Sequence, residues 1–141
     1  MKNISFQKII YSEDQIKILY QLLEKRLFSI SHQSMPTYED HSSFVQKNPY
    51  IDWFLIFLNN QPIGSFYIQE DNSVGINLIN QNKKIIKETI NFVASHFSPK
   101  SPIPSKVPPY FFVNVPFHND TMIKALEEIE AKPIQLSYRI S

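Results

Sequence analysis

No cysteine occurs in the 141 residues, which removes disulfides, a thiol nucleophile and any zinc-thiolate cluster. That agrees with a reducing compartment, and the cytoplasm is the expected location. Glycine is nearly missing too. Gly64 and Gly75 are the only two, where average usage of about 7% would supply roughly ten. Few backbone positions can then take a positive φ or admit a ligand tight against the main chain. Charge of one sign is also missing: 14 Lys and Arg balance 13 Asp and Glu, for a formal net charge of +1. Without a basic stripe or a run of like charge, no nucleic-acid partner is expected. The longest apolar run, Trp53 to Leu58, is far short of the roughly 20 residues of a membrane span. The N-terminus lacks the charged start, apolar middle and small-residue cleavage site of a signal peptide. No membrane partner is expected, and Asn3-Ile4-Ser5 and Asn119-Asp120-Thr121 are read as chance matches to the glycosylation pattern. His32, His41, His96 and His118 show no paired ligand spacing, so no metal is expected.

What is present is a packed globule. The hydrophobic fraction of 43% and aromatic fraction of 13% exceed what a disordered segment carries, and residues 1–141 are expected to form one domain. The organising stretch is Val74 to Val93. Val74, Ile76 and Leu78 alternate with Gly75, Asn77 and Ile79, the period of a strand, and then Ile86, Ile90, Val93 and Phe97 lay an apolar stripe along a helix. At the changeover, Asn80 to Asn82, the first N–H groups of the helix lack internal partners and carry the positive end of its dipole, which welcomes an anion. Lys83 and Lys84 add two cations there. Either they are solvated surface lysines or they face a negative ligand.

Ahead of that junction, Ile4 to Tyr11 reads as a strand. Ser12-Glu13-Asp14-Gln15 matches a capping box, with Gln15 expected to reach back to the cap. It opens a helix with Ile16, Leu19, Leu22, Leu23 and Leu27 buried, ending near Phe28. Ser29 to Pro36 reads as a polar loop where substrate choice would be made. Thr37 precedes a second helix through Lys47, with Phe44 and Val45 facing inward, and Asn48-Pro49 closes it. Trp53 to Leu58, Ile63 to Gln69 and Ser73 to Ile79 form an antiparallel meander, because their connectors have hairpin length. After the helix Lys83 to Phe97, residues Ser98 to Pro109 hold five of the ten prolines and read as a surface loop. Tyr110 to Asn114 is a short strand, parallel to the Val74 strand through a β–α–β crossover. Asn119 caps a fourth helix to about Glu130, and Ile134 to Ile140 alternates as a last strand. The aromatic series Trp53, Phe54, Phe57, Phe66, Tyr67, Phe111 and Phe112 reads as sheet core.

This order, with an anion junction in its middle, resembles the GCN5-related N-acetyltransferase family. The likeness rests on Met35-Pro36-Thr37-Tyr38-Glu39-Asp40-His41, Phe44-Val45, Asn48-Pro49-Tyr50, Trp53-Phe54-Leu55-Ile56, Ile63 to Ile68, Val74-Gly75-Ile76 and Asn114 to Asn119. It covers most of Ile4 to Ile140. It implies an α/β (α+β) fold with a central mixed, mostly antiparallel sheet of about six to seven strands and about four flanking helices. It also implies an acyl-CoA-dependent N-acetyltransferase that uses acetyl-CoA or another acyl-CoA and a small-molecule amine or amino-sugar acceptor, and it allows a homodimer. Carried over by residue, the backbone of Ile76, Asn77 and Leu78 would pair with the pantetheine arm. Gln81, Lys83, Lys84, Ile85 and Ile86 would hold the pyrophosphate, and Asn119 would approach the thiol end.

The sequence departs from that pattern at several points. Lys84 and Ile86 stand where the family has small residues, Glu130-Ala131 stands where it usually has Gly-Phe, and its late-helix tyrosine is missing. Two readings therefore compete. In one, Lys83 and Lys84 serve as side-chain phosphate ligands while Ile86 turns into the buried stripe. In the other, the cofactor site has decayed and a catalytically inactive binding or scaffold module remains. For acyl transfer, His41 is the candidate base, because imidazole titrates near neutrality; it reads equally as a half-buried helix histidine. Tyr138 is the candidate acid for the leaving thiolate, and reads equally as strand packing. Glu70 and Asp71 are the nearest carboxylates and read as solvated turn residues.

Overall fold

In the computed structural model, which describes residues 3–26 and 34–141, the meander forms as expected. Strands β1 (Ile4–Lys8), β2 (Asp52–Leu58), β3 (Gln61–Ile68), β4 (Ser73–Leu78) and β5 (Phe112–Val113) follow one another across one sheet. The first four run antiparallel. The crossover through α3 (Lys83–His96) makes β5 parallel to β4, with Ser73 opposite Phe112 and Val74 opposite Val113. Helices α1 (Glu13–Lys25), α2 (Tyr38–Lys47) and α4 (Asp120–Glu128) complete the chain. Each helix opens on a side chain that accepts a first-turn N–H: Ser12 from Gln15, Thr37 from Asp40, Asn82 from Ile85 and Asn119 from Met122, each such cap being worth about 1 kcal/mol.

Period-two alternation sends the sheet's apolar residues to both faces. On one, Ile56, Phe66, Ile68, Val74, Ile76 and Leu78 pack with Ile85, Ile86 and Val93 of α3 and Met122 and Ala125 of α4. On the other, Trp53 and Leu55 pack with Ile16, Leu19 and Leu22 of α1 and Val45 of α2. Burying each such aliphatic side chain contributes roughly 1.5–3 kcal/mol. No helix among the described residues is long and apolar enough to cross a membrane.

The shortage of glycine is met by asparagine. Asn48, Asn59, Asn60 and Asn72 take positive φ, and neither glycine does; of non-glycine residues, asparagine tolerates that region best because its short amide bonds locally. The two glycines serve close approach instead. A Cβ at Gly64 would lie 2.2 Å from the Asn77 carbonyl oxygen, and one at Gly75 2.2 Å from the Tyr67 ring.

Several expectations need correction. Among the described residues the sheet has five strands, not six or seven, because Ile134 to Ile140 forms none. Pro108 and Pro109 precede β5 and Pro116 follows it, so the paired edge is only two residues long. Prolines cannot donate to a ladder, which leaves the tail too little edge to join. Phe44 is exposed rather than inward, and Val45 alone of that pair is buried. Gln15 does not reach back to its cap. Its Oε1 accepts from the Ile10 N–H and its Nε2 donates to the Lys8 carbonyl and the Gln7 Oε1, tying α1 to β1. Helix one ends at Lys25, where Arg26 turns extended, rather than near Phe28. Leu27, Phe28, most of the loop Ser29 to Pro36, and His32 lie outside the described residues.

Candidate functional site

The Ser73 carbonyl accepts from the Gln69 N–H at 2.9 Å, and the Ile79 N–H donates to the Ile63 carbonyl at 3.0 Å, both toward β3. Backbone groups alternate along a strand, so those of Val74, Ile76 and Leu78 face the opposite edge, toward β5. There β5 stops at Val113. Among the described residues no strand pairs with Ile76 and Leu78 on that side, although side chains cover both, leaving Ile76 7% and Leu78 1% exposed. Asn77, expected to share in that edge, turns its backbone toward β3, opposite Ser65.

The edge leads into the N-terminus of α3. The Asn82 side chain takes the Ile85 N–H at 3.1 Å and its carbonyl takes that of Ile86 at 3.1 Å, leaving the Lys83 and Lys84 N–H groups at the helix mouth. Ile85 and Ile86 turn into the core, Ile86 with 0% exposure, so neither β-branched side chain stands over that mouth. The Lys83 ammonium donates to Glu128 at 2.6 Å, and Lys87 reaches the same carboxylate. Those two bonds hold the Glu128 carboxyl down at about 2, well below the ordinary carboxylate range. Lys84 is exposed. Asn119 is 2% exposed, and its Nδ2 donates to Gln81 Oε1 at 3.1 Å while Gln81 Nε2 donates to the Leu78 carbonyl at 3.5 Å. The Gln81 side chain thus bridges the end of β4 and the start of α4 with two ordinary hydrogen bonds, each worth about 1 kcal/mol net.

On the α1/α2 face the sheet is hollow. A cavity of about 250 Å³ is lined by Leu19, Leu22, Leu23 and Arg26 of α1 and its end, Asp40, His41 and Phe44 of α2, Tyr50, Trp53, Ser65 and Tyr67, and Asn77, Leu78 and Ile79 at the end of β4. It therefore meets the strand segment whose far edge has no described pairing strand. Tyr50 and Tyr67 stack with centroids 3.9 Å apart, and Tyr50 and Phe44 meet Trp53 edge-on at 5.0 and 5.8 Å. Burial pushes both tyrosine hydroxyls above their ordinary range, so they are neutral donors at neutral pH. Burial also pulls the Arg26 guanidinium down from its ordinary value, opposed by Tyr67 and Tyr50; arginine stays cationic in this range. His41 is buried, with Nε2 3.2 Å from the Ile16 carbonyl. A carbonyl can only accept, so Nε2 carries a proton.

No protein-family model matches the sequence, and no curated protein does. Solved structures match the fold. A domain from Methanocaldococcus jannaschii superposes with a TM-score of 0.68 at 14% identity, covering 97% of this chain and 93% of that one. An acetyltransferase from Thermus thermophilus gives 0.62 at 14%, covering 91% and 85%. An aminoglycoside acetyltransferase from an uncultured soil metagenomic sample, in complex with sisomicin, gives 0.55 at 16%, covering 98% and 97%. At such identities the likeness is one of fold alone: this chain shares the mixed α+β fold of these acetyltransferases.

Of the residues expected at the site, Ile76 and Leu78 lie, buried, on the edge of β4 that no described strand pairs, and Gln81, Lys83 and Asn119 are drawn together by bonds to one another or to α4. His41 lines the cavity. Tyr138 is 83% exposed on a segment outside the sheet and is not among the cavity's walls. Among the described residues no three His, Asp or Glu side chains gather as a metal ion would need. Sequence reasoning missed Arg26, Tyr50 and Asp40, and took Tyr67 and Trp53 as core alone. Arg26 left a signal: it continues the buried spacing Leu19, Leu22, Leu23, and a cation on an apolar stripe wants a reason.

Proposed function

We propose that the protein is an N-acyltransferase that binds an acyl-CoA along β4 and passes its acyl group to a small amine held in the cavity beside it. The observation that carries this reading is the edge of β4 at Ile76 and Leu78, which no described strand pairs and whose backbone would offer donors and acceptors to a pantetheine arm beside an aromatic-walled chamber. These residues fit the cofactor by backbone, and the Lys83 and Lys84 N–H groups with the Lys84 ammonium fit its diphosphate. An acyl-CoA bound there would supply an activated thioester.

The chain's own part is to bind and orient. Holding amine and acyl carbon together supplies much of the rate by removing translational freedom. The apolar walls exclude water, which would otherwise hydrolyse the acyl group. His41 is the general base of this reading, receiving the proton that the amine sheds. The reading assigns no role to Tyr138.

The test is a thermal melt with acetyl-CoA. Saturation at one hundred times Kd stabilises by about 2.7 kcal/mol, and Lys84→Glu is expected to abolish the shift. Absence of a shift at millimolar acetyl-CoA would leave the alternative, a binding module that has lost the cofactor.

A further inference from the structure

The cavity's polar groups are unevenly matched. Trp53 is 6% exposed, and neither its indole N–H nor the Arg26 Nε–H finds an acceptor among the described residues. The described ion pairs join Lys83 and Lys87 to Glu128, so no described carboxylate lies within ion-pair distance of Arg26. Asp40 lines the same chamber, equally without a described cation partner. A half-buried guanidinium without a counter-charge is costly, and an enclosed indole N–H without an acceptor costs about 1–3 kcal/mol. Both of those nitrogens are covered, so a ligand in the chamber would meet the guanidinium through its Nη groups and leave the indole N–H where it is. Among the remaining walls, Phe44, Tyr50 and Tyr67 set ring faces around Trp53, with Leu19, Leu22 and Leu23 beside them. At about 250 Å³, the chamber lies below the roughly 300–1,000 Å³ that drug-sized ligands occupy.

We infer that the acceptor is a small zwitterion, an amino acid or close analogue with a flat apolar side group, whose carboxylate is gripped by the Arg26 guanidinium while its amine lies toward Asp40 and His41. The guanidinium's planar fork suits a carboxylate in particular. A polycationic amino-sugar would set its charges against Arg26. The inference rests on the acyltransferase reading for its word acceptor, but ligand binding can be measured apart from transfer.

Isothermal titration of the whole chain with L-phenylalanine, phenethylamine, 3-phenylpropionate and sisomicin, each with and without coenzyme A, reads it directly. L-Phenylalanine should bind best, with phenethylamine at least tenfold weaker because it lacks the carboxylate. Arg26→Gln should bring L-phenylalanine down to the phenethylamine level and leave phenethylamine unchanged. Arg26→Lys, which keeps the charge and loses the fork, should fall between and serves if the glutamine variant does not fold. Equal binding of L-phenylalanine and phenethylamine would overturn the inference. So would tighter binding of sisomicin, equal weakening of both amines by Arg26→Gln, or no heat with any probe at millimolar concentration. If L-phenylalanine binds as described and acetyl-CoA does not, the cavity assignment stands and the transferase reading falls. Binding of acetyl-CoA without a preference for the zwitterion gives the reverse.

Discussion

The two faces of the sheet are built from the same alternating strands and end differently. Toward α3 and α4, Ile56, Ile76, Leu78, Ile86 and Met122 and the contacting rings of Phe6, Phe54, Phe66 and Phe92 fill the space between layers. Toward α1 and α2, Trp53, Tyr50 and Tyr67 brace one another around a chamber instead of closing it. The solid face fixes where β4 stands, and the hollow face lets something reach it.

The sharpest way to break that contrast is to hollow the solid side. Ile86→Ala removes a fully buried chain and is expected to cost about 2–5 kcal/mol in urea unfolding, since the site has little room to relax. A value below about 1 kcal/mol would mean that α3 is not packed as described. Second comes Gly75→Ala. The new methyl would press on the Tyr67 ring, which stacks on Tyr50, so we expect a loss of about 1–3 kcal/mol together with weaker ligand binding in the chamber. Relief of both by Tyr67→Ala in the same chain would locate the strain at that ring.

Alkaline titration sharpens the comparison further. Burial raises the Tyr50 and Tyr67 pKa values in the folded state, so the folded chain keeps protons that the unfolded chain gives up. Their contribution is complete below the ordinary tyrosine pKa of about 10 and is lost as pH rises through the raised folded values. Stability should therefore fall above pH about 10, and the fall should be shallower in the Tyr50→Phe, Tyr67→Phe double variant. The smallest effect belongs to the solid face's rim. Glu128→Gln releases Lys83 and Lys87 from an exposed carboxylate. Surface pairs of this kind contribute little, so stability should be nearly unchanged at neutral pH, while acetyl-CoA binding tightens a few-fold in low salt by calorimetry. The wild-type pairs persist as pH falls until it passes through about 2, where Glu128 protonates.

Much of the frame was legible in the sequence because it is written locally. The caps at Ser12, Thr37 and Asn119 sit beside the runs they open, and the β–α–β crossover follows from one strand, one helix and one further apolar run. The burial of Ile86 was readable from its spacing to Ile90. The last strand misled because Ile134 to Ile140 has the right alternation, and alternation cannot report that β5 is too short to receive it. The chamber was illegible for another reason: its walls come from α1, α2, the turn at Tyr50 and three strands, and every aromatic among them also reads as core. Asn72 shows the same limit. It looks like a hairpin residue, yet its buried amide bonds to Lys100 and Pro108 and pins the proline-rich loop, contacts 28 and 36 residues away.

Backbone amide shifts and exchange rates followed during titration with acetyl-CoA test the account most directly. The Ile76 and Leu78 amides should shift and gain protection from exchange, with Lys83 and Lys84 following, while Asn77, already paired to β3, stays nearly still. Unmoved Ile76 and Leu78 amides at saturating acetyl-CoA, or shifts confined to another part of the chain, would contradict it.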